Sequence, residues 1–329
     1  MAQIRTGGDN SELAGYEGSI LTGGHNSELA GGDDSTIAGG DNSKITGGEY
    51  SIITSGDRSK LTGGHFSKIT GGDDSEIAGG HFSVIAGGKD SILTAGKYSE
   101  LVSGVGSKIT SGEHSHLVAG NSSELAGGEG STIASGDNST ITGGEYSRLA
   151  AGVNSEITGG EGSAIAGGSG SKLTGGDNSK ITGGEYSKVV GGNRSKIAGG
   201  EYSKVVGGNR SKIAGDGHSK ITGGNDSQLT AGKYSELTGG DNSKIVGGDE
   251  SNLTGGNGSV LMGETGSIAK GGLDSVILLV ERDNDDKITG FAAVQVDGKK
   301  IKANTFYKLK KGKLEKGKLK KGKFIEVID

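Results

Sequence analysis

Residues 183–198 read GGEYSKVVGGNRSKIA, and residues 199–214 spell the same sixteen letters again. The copy is the clearest instance of a register that runs along most of the chain. Stepping by eight from Ser11 meets serine every time, through Ser19, Ser27 and Ser35 to Ser275, which makes 34 octads without an insertion. Written from its glycines, the octad is G-G-x-x-S-x-[I/L/V]-[T/A/V]. The slot two after serine is aliphatic except at Ala269, where Ile268 sits one place early. A fixed period of this kind marks a repeat architecture.

Eight residues make one short strand and one corner. Within S-x-I-T the side chains alternate, so Ser and Ile share one face and their neighbours share the other. Burying the aliphatic row sends the x and Thr/Ala rows to solvent. The paired glycines are then expected to supply positive φ at the corner, with Asp-Asn, Asp-Asp or Asn-Arg after them as turn formers. One octad cannot bury its apolar face alone, but stacked coils can.

The coil is sixteen residues, not eight. The duplication is one sign, and the residue after serine is another. In alternate octads that slot holds Glu12, Glu28, Lys44, Lys60, Glu76, Lys108, Glu124 and Glu156. In the intervening octads it holds Ile20, Thr36, Ile52, Lys68, Val84, Glu100, His116, Thr132, Arg148 and Ala164, a less charged row. Aromatics follow the same step: Tyr50, Phe66, Phe82, Tyr98 and Tyr146 differ by multiples of sixteen, and so do Tyr186, Tyr202 and Tyr234. The pattern predicts an all-β chain, a parallel β-solenoid of 17 two-strand coils over residues 1–278. At about 4.8 Å per coil it would be a rod roughly 80 Å long. Its core is a ladder of Ile, Leu and Val flanked by stacked serines.

Composition agrees. The 329 residues include 70 Gly, no Pro, no Cys and no Trp, with 30% hydrophobic and 4% aromatic residues. So few apolar residues exclude one large core and require a thin, distributed one. A disordered Gly-rich chain has no need of a register. No run approaches the roughly 20 apolar residues of a membrane span, and MAQIRTGG lacks the apolar stretch of a secretory signal. These features leave the cellular location open, between the cytoplasm and export by another route.

After Ser275 the pattern breaks. VILLVERDNDDKITGFAAVQVDGKKIKANTFYKLKKG reads as strand, polar turn at Asp283–Asp286, strand, Asp297-Gly298 turn, strand. Residues 279–329 are therefore expected to form a β-rich cap over the last coil's open edge, ending in a Lys-rich tail. Residues 297–329 hold 12 Lys against 4 acids, within a chain of net charge −5.

GDRSKLTGG at 56–64, GGDDSTIAGG, GGNGSVLMG and the stretch DSVILLVERDNDDKITGFAAVQVDGKKIKANTFYKL together resemble the repeat and C-terminal cap of bacterial ice-nucleation proteins. The resemblance covers nearly the whole chain, and it is closest to the basic terminal coils that the family associates with assembly. It implies a β-solenoid, contact with ice or ordered water, and a cell-surface or extracellular setting. The family's water-organising coils carry Thr-x-Thr on an exposed strand, which occurs here once, at Thr140-Ile141-Thr142. The family's N-terminal membrane-associating domain has no counterpart in these residues.

Site chemistry is sparse. GGDD departs from calcium-binding nonapeptides, because the period is eight and a second acidic slot is missing. His65 and His81, one coil apart, lack the partners of a tetrahedral metal set. A narrow solenoid offers no pocket for a nucleophile and base. The lysine tail lacks interleaved aromatics, which points away from nucleic acid, and nothing points to a membrane or a cofactor. The expectation is a non-enzymatic structural protein that self-associates into oligomers or fibres. Its N-terminal strand edge has no visible cap, and its candidate contact residues are Tyr50, Phe66, Phe82, Tyr98, Tyr146, Tyr186, Tyr202 and Tyr234. The alternative is an ice-binding protein using Ile20, Thr36, Ile52, Val84, Thr132, Thr140 and Thr142. An adhesin-like stalk is a third.

Overall fold

The computed structural model describes residues 3–320 and 323–326. The remaining residues of the expected tail lie outside them. The chain is an all-β, parallel β-solenoid of about 17 coils with a sixteen-residue repeat, built from two sheets and followed by a short antiparallel cap. It divides into two compact units, Met1–Ala164 and Ile165–Asp329.

In Met1–Ala164, strands of three residues, four at Arg148–Ala151, alternate between the sheets, and each pairs in register with the strand sixteen residues on. Ile20–Thr22 thus lies beside Thr36–Ala38, and Glu28–Ala30 beside Lys44–Thr46. From Ile20–Thr22 onward the middle residue of each strand is buried. Leu21, Ile37, Ile45 and Ile53 have no exposed surface. Each contributes about 1.5–3 kcal/mol by leaving water, so a long ladder of single residues replaces a spherical core. The residues on either side of it, such as Lys44 and Thr46, face solvent.

The serines are buried beside this ladder, as the alternation requires. Their bonding is more specific than simple stacking: the Ser43 hydroxyl donates to the Gly24 carbonyl at 3.3 Å and accepts the Ser27 N–H at 3.4 Å. The same pair of contacts recurs at Ser59, through Gly40 and Ser43. Each hydroxyl therefore ties the backbone of one coil to that of the coil before it.

The corners correct the expectation for glycine. Positive φ falls not on the paired glycines but on the residue just before serine: Asn10 at 60°, Asn42 at 56°, Tyr50 at 55° and Phe66 at 58°. The glycines are needed because space is lacking. A Cβ on Gly23 would lie 2.8 Å from Ser27 Cβ and 3.0 Å from Leu29 Cδ2, and one on Gly24 would lie 2.7 Å from the Asp9 backbone nitrogen. The first glycine thus makes room for the core, and the second lets successive corners stack.

In Ile165–Asp329 the same coils lead into the cap. Strand Val276–Arg282 runs straight through the expected boundary at residue 278. It pairs parallel with Val260–Gly263 on one side and antiparallel with Ile288–Gln295 on the other. In the second sheet, Ile268–Lys270 pairs antiparallel with Phe306–Lys310. The cap thus covers the last coil by adding a reversed strand to each sheet. Tyr307 and Leu309 are buried, and burial raises the Tyr307 hydroxyl above its ordinary pKa.

Candidate interaction surfaces

The residue before each serine sits at the tip of a corner in the left-handed region, which Asn, Asp and Gly enter most readily. Many coils place Asn there, including Asn10, Asn26 and Asn138. Four successive coils of Met1–Ala164 instead place Tyr50, Phe66, Phe82 and Tyr98 there. Their rings stack with centroids 4.9, 4.9 and 5.1 Å apart and planes within 6° of parallel. His114 continues the stack at 5.2 Å from Tyr98. In Ile165–Asp329, Tyr186, Tyr202, His218 and Tyr234 form a second ladder at 4.6–5.1 Å.

Both histidines were missed by a reading that followed only Tyr and Phe, although the sixteen-residue step pointed to them. Tyr146 joins no ladder, because Gly130 and Gly162 occupy the equivalent places in the coils on either side. The ladder rings are about half exposed: Phe66 by 46%, Phe82 by 48% and Tyr98 by 52%.

Beside the first ladder runs a polar one that sequence reasoning also missed. The residue after the glycine pair accepts the backbone N–H sixteen residues on. Asp33 Oδ1 takes Glu49 N–H at 2.7 Å, His65 Nδ1 takes His81 N–H at 2.9 Å, and His81 Nδ1 takes Lys97 N–H at 2.7 Å. An imidazole accepting at Nδ1 is neutral, with its proton on Nε2. The His65–His81 pair is thus a pair of turn acceptors stacked at 4.9 Å. Among the described residues, no group of three His, Asp or Glu is placed to hold a metal. Lys97 meets Glu113 at 2.8 Å, and this bond raises the lysine's pKa and lowers the glutamate's.

The low-charge row is continuous only in part. Ile20, Thr36 and Ile52 are consecutive in register, but Lys68 follows Ile52, and Glu100 follows Val84. Thr132 lies between His116 and Arg148. Thr140 and Thr142 fall in the opposite sheet, between Glu124–Ala126 and Glu156–Thr158, so they share no face with the other five. On that sheet the outward rows are internally neutralised: Lys44 meets Glu28 at 2.6 Å, Lys60 meets Glu76 at 2.9 Å, and Lys108 meets Glu124 at 3.1 Å. No helix among the described residues is long and apolar enough to cross a membrane. Comparison with protein-family models, curated proteins and solved structures finds no match to this chain.

Proposed function

We propose that this is a non-enzymatic structural protein that associates with copies of itself through its exposed aromatic ladders. One observation supports the reading. Holding a bulky aromatic at positive φ costs on the order of 1–3 kcal/mol, whereas a stacked pair returns about 0.5–1.5 kcal/mol beyond burial. The stack therefore does little more than offset its backbone strain, and half of each ring still faces water. Asn or Asp would close the same corner at lower cost, as Asp34 does in the preceding coil. A contiguous half-exposed aromatic strip that the fold does not require is the kind of surface that a partner covers.

The test replaces Tyr50, Phe66, Phe82 and Tyr98 together with Asn. The corners keep their conformation, so the far-ultraviolet spectrum and the melting temperature stay unchanged or improve. Sedimentation then shifts from oligomers toward monomer. Tyr146→Asn, outside any stack, leaves assembly as it was. Association that persists in the quadruple variant would sink the proposal.

Ice or ordered-water binding is the second reading, and the unbroken Ile20–Thr36–Ile52 run favours it. Droplet freezing by Thr36→Lys separates it from the first, because association through the rings leaves that residue uninvolved.

A further inference from the structure

Among the described residues, one row of lysines in the second unit lacks the acidic partners that Lys220 and Lys233 have there. Lys180, Lys196 and Lys212 are consecutive partners across parallel strands, about 4.8 Å apart, all exposed and without an acid between them. Like charges directly opposite on a sheet repel. Two residues before Lys196 and Lys212, the same coils carry Arg194 and Arg210 at φ 57° and 59°. Of these five cations, only Arg210 has an ion-pair partner among the described residues, Asp226 at 3.9 Å. Each coil thus offers an Arg and a Lys side by side, and the next coil repeats the pair.

The corner beside them is unusual in a second way. Where the acceptors on either side are Asp177 and Asp241, here they are Asn193, Asn209 and Asn225, whose Oδ1 atoms take the next coil's N–H at 2.8, 2.8 and 2.9 Å. That bond fixes the amide plane and leaves Nδ2–H2 facing away from the backbone, where an aspartate would present its second oxygen. Asn193 uses one such donor on Asp177 at 3.3 Å. The amides and the two arginines line an open groove of about 290 Å³, with the carboxylates Asp177 and Asp226 in the first and last of its coils, and the three lysines line another of about 300 Å³ with Ala198, Ala214 and Gln228. The strip is rich in donors and cations and runs across successive coils.

We propose that this strip, centred on Arg194, Lys196, Arg210 and Lys212, binds a linear chain of phosphates lying across the coils. Arginine forks and amide donors match the oxygens of tetrahedral phosphate, and the lysines supply point charges. A chain without bases fits best, because neither groove is lined by an aromatic ring on which a base could stack. The acidic rows of a second copy fit less well, since Glu28, Glu76, Glu113 and Glu124 are already neutralised by lysines of the adjacent coils.

The test titrates the full chain with long-chain inorganic polyphosphate at several salt concentrations. Arg194→Gln, Lys196→Gln, Arg210→Gln and Lys212→Gln together should weaken binding by about tenfold or more at low salt. The slope of log K against log salt should become shallower by about 3, at roughly 0.7 per lost contact. All four side chains are exposed, so melting without ligand should not fall. The matched control, Lys44→Gln, Lys60→Gln, Lys97→Gln and Lys108→Gln, removes the same charge from paired lysines and should bind as wild type. Equal loss in the control means net charge alone attracts the polymer, and an unchanged strip variant places binding on the C-terminal lysines. Either result overturns the proposal. Tighter binding of oligothymidylate or polyglutamate of equal charge also overturns it, by assigning the strip to nucleic acid or to a carboxylate partner.

Discussion

A single hydroxyl shows how much this fold asks of one residue type. The Ser203 hydroxyl donates to the Gly184 carbonyl at 3.2 Å, and that of Ser187 donates to the Gly168 carbonyl at 3.4 Å, both with side chains at most 1% exposed. Valine is larger by a methyl group and neither donates nor accepts. Ser187→Val and Ser203→Val should each cost about 1–3 kcal/mol, from the lost hydroxyl bond and from added bulk. Chemical denaturation reads the loss directly, and an unchanged midpoint would mean the hydroxyl contributes nothing to the corner. Serine and the aliphatic slot were legible in the sequence because strand alternation leaves them only one face. The residue at positive φ was not, since glycine, asparagine and aspartate all suit a turn, and only packing shows that the glycines are reserved for closeness. Nor was the corner acceptor ladder, because Asp33 and the N–H of Glu49 meet only once the coil is closed.

Among the elements, the cap is where the period stops informing. The strands after Ser275 could be read from hydrophobic runs and turn residues, yet nothing in them said that Val276–Arg282 would belong to both the last coil and the cap. That depends on the partner strand, which lies outside the repeat. The turn at Asp297 ties the cap together: its Oδ1 accepts Lys299 N–H at 2.8 Å and Ile301 N–H at 3.0 Å, and these bonds hold the carboxyl below its ordinary pKa. A carboxyl depressed in the folded state stabilises the turn above its unfolded pKa, and the stabilisation is lost as pH falls through the folded value. Acidification below about pH 4 should therefore speed amide exchange at Lys299 and Ile301. Asp297→Asn keeps an acceptor oxygen without the titration, so its exchange should not share that acid dependence. A wild-type turn with no acid dependence would remove the carboxylate from this role.

Across the whole molecule, charge is divided: residues 1–164 carry 9 Lys and Arg against 21 Asp and Glu, while residues 165–329 carry 26 against 19. Ring-mediated association should survive high salt, whereas phosphate binding should fade as screening shortens to about 3 Å near 1 M, so one salt series distinguishes the two surfaces. Repetition makes a further prediction. Removing residues 199–214 deletes one coil and leaves every remaining strand facing the same sheet, so the melting temperature should stay within about 4 °C. Removing Ser203 alone shifts the strand after it by one place and turns its apolar residue outward, and that variant should melt far lower. Comparable melting of the two would mean the register is not what holds the coils. The sixteen-residue hydrogen-bond step also bears on heredity. Repeated tracts of gene, such as those encoding the identical residues 183–198 and 199–214, invite misaligned recombination, and here the product of such an error is another intact coil. Length in this protein is a quantity that replication can change and folding will accept.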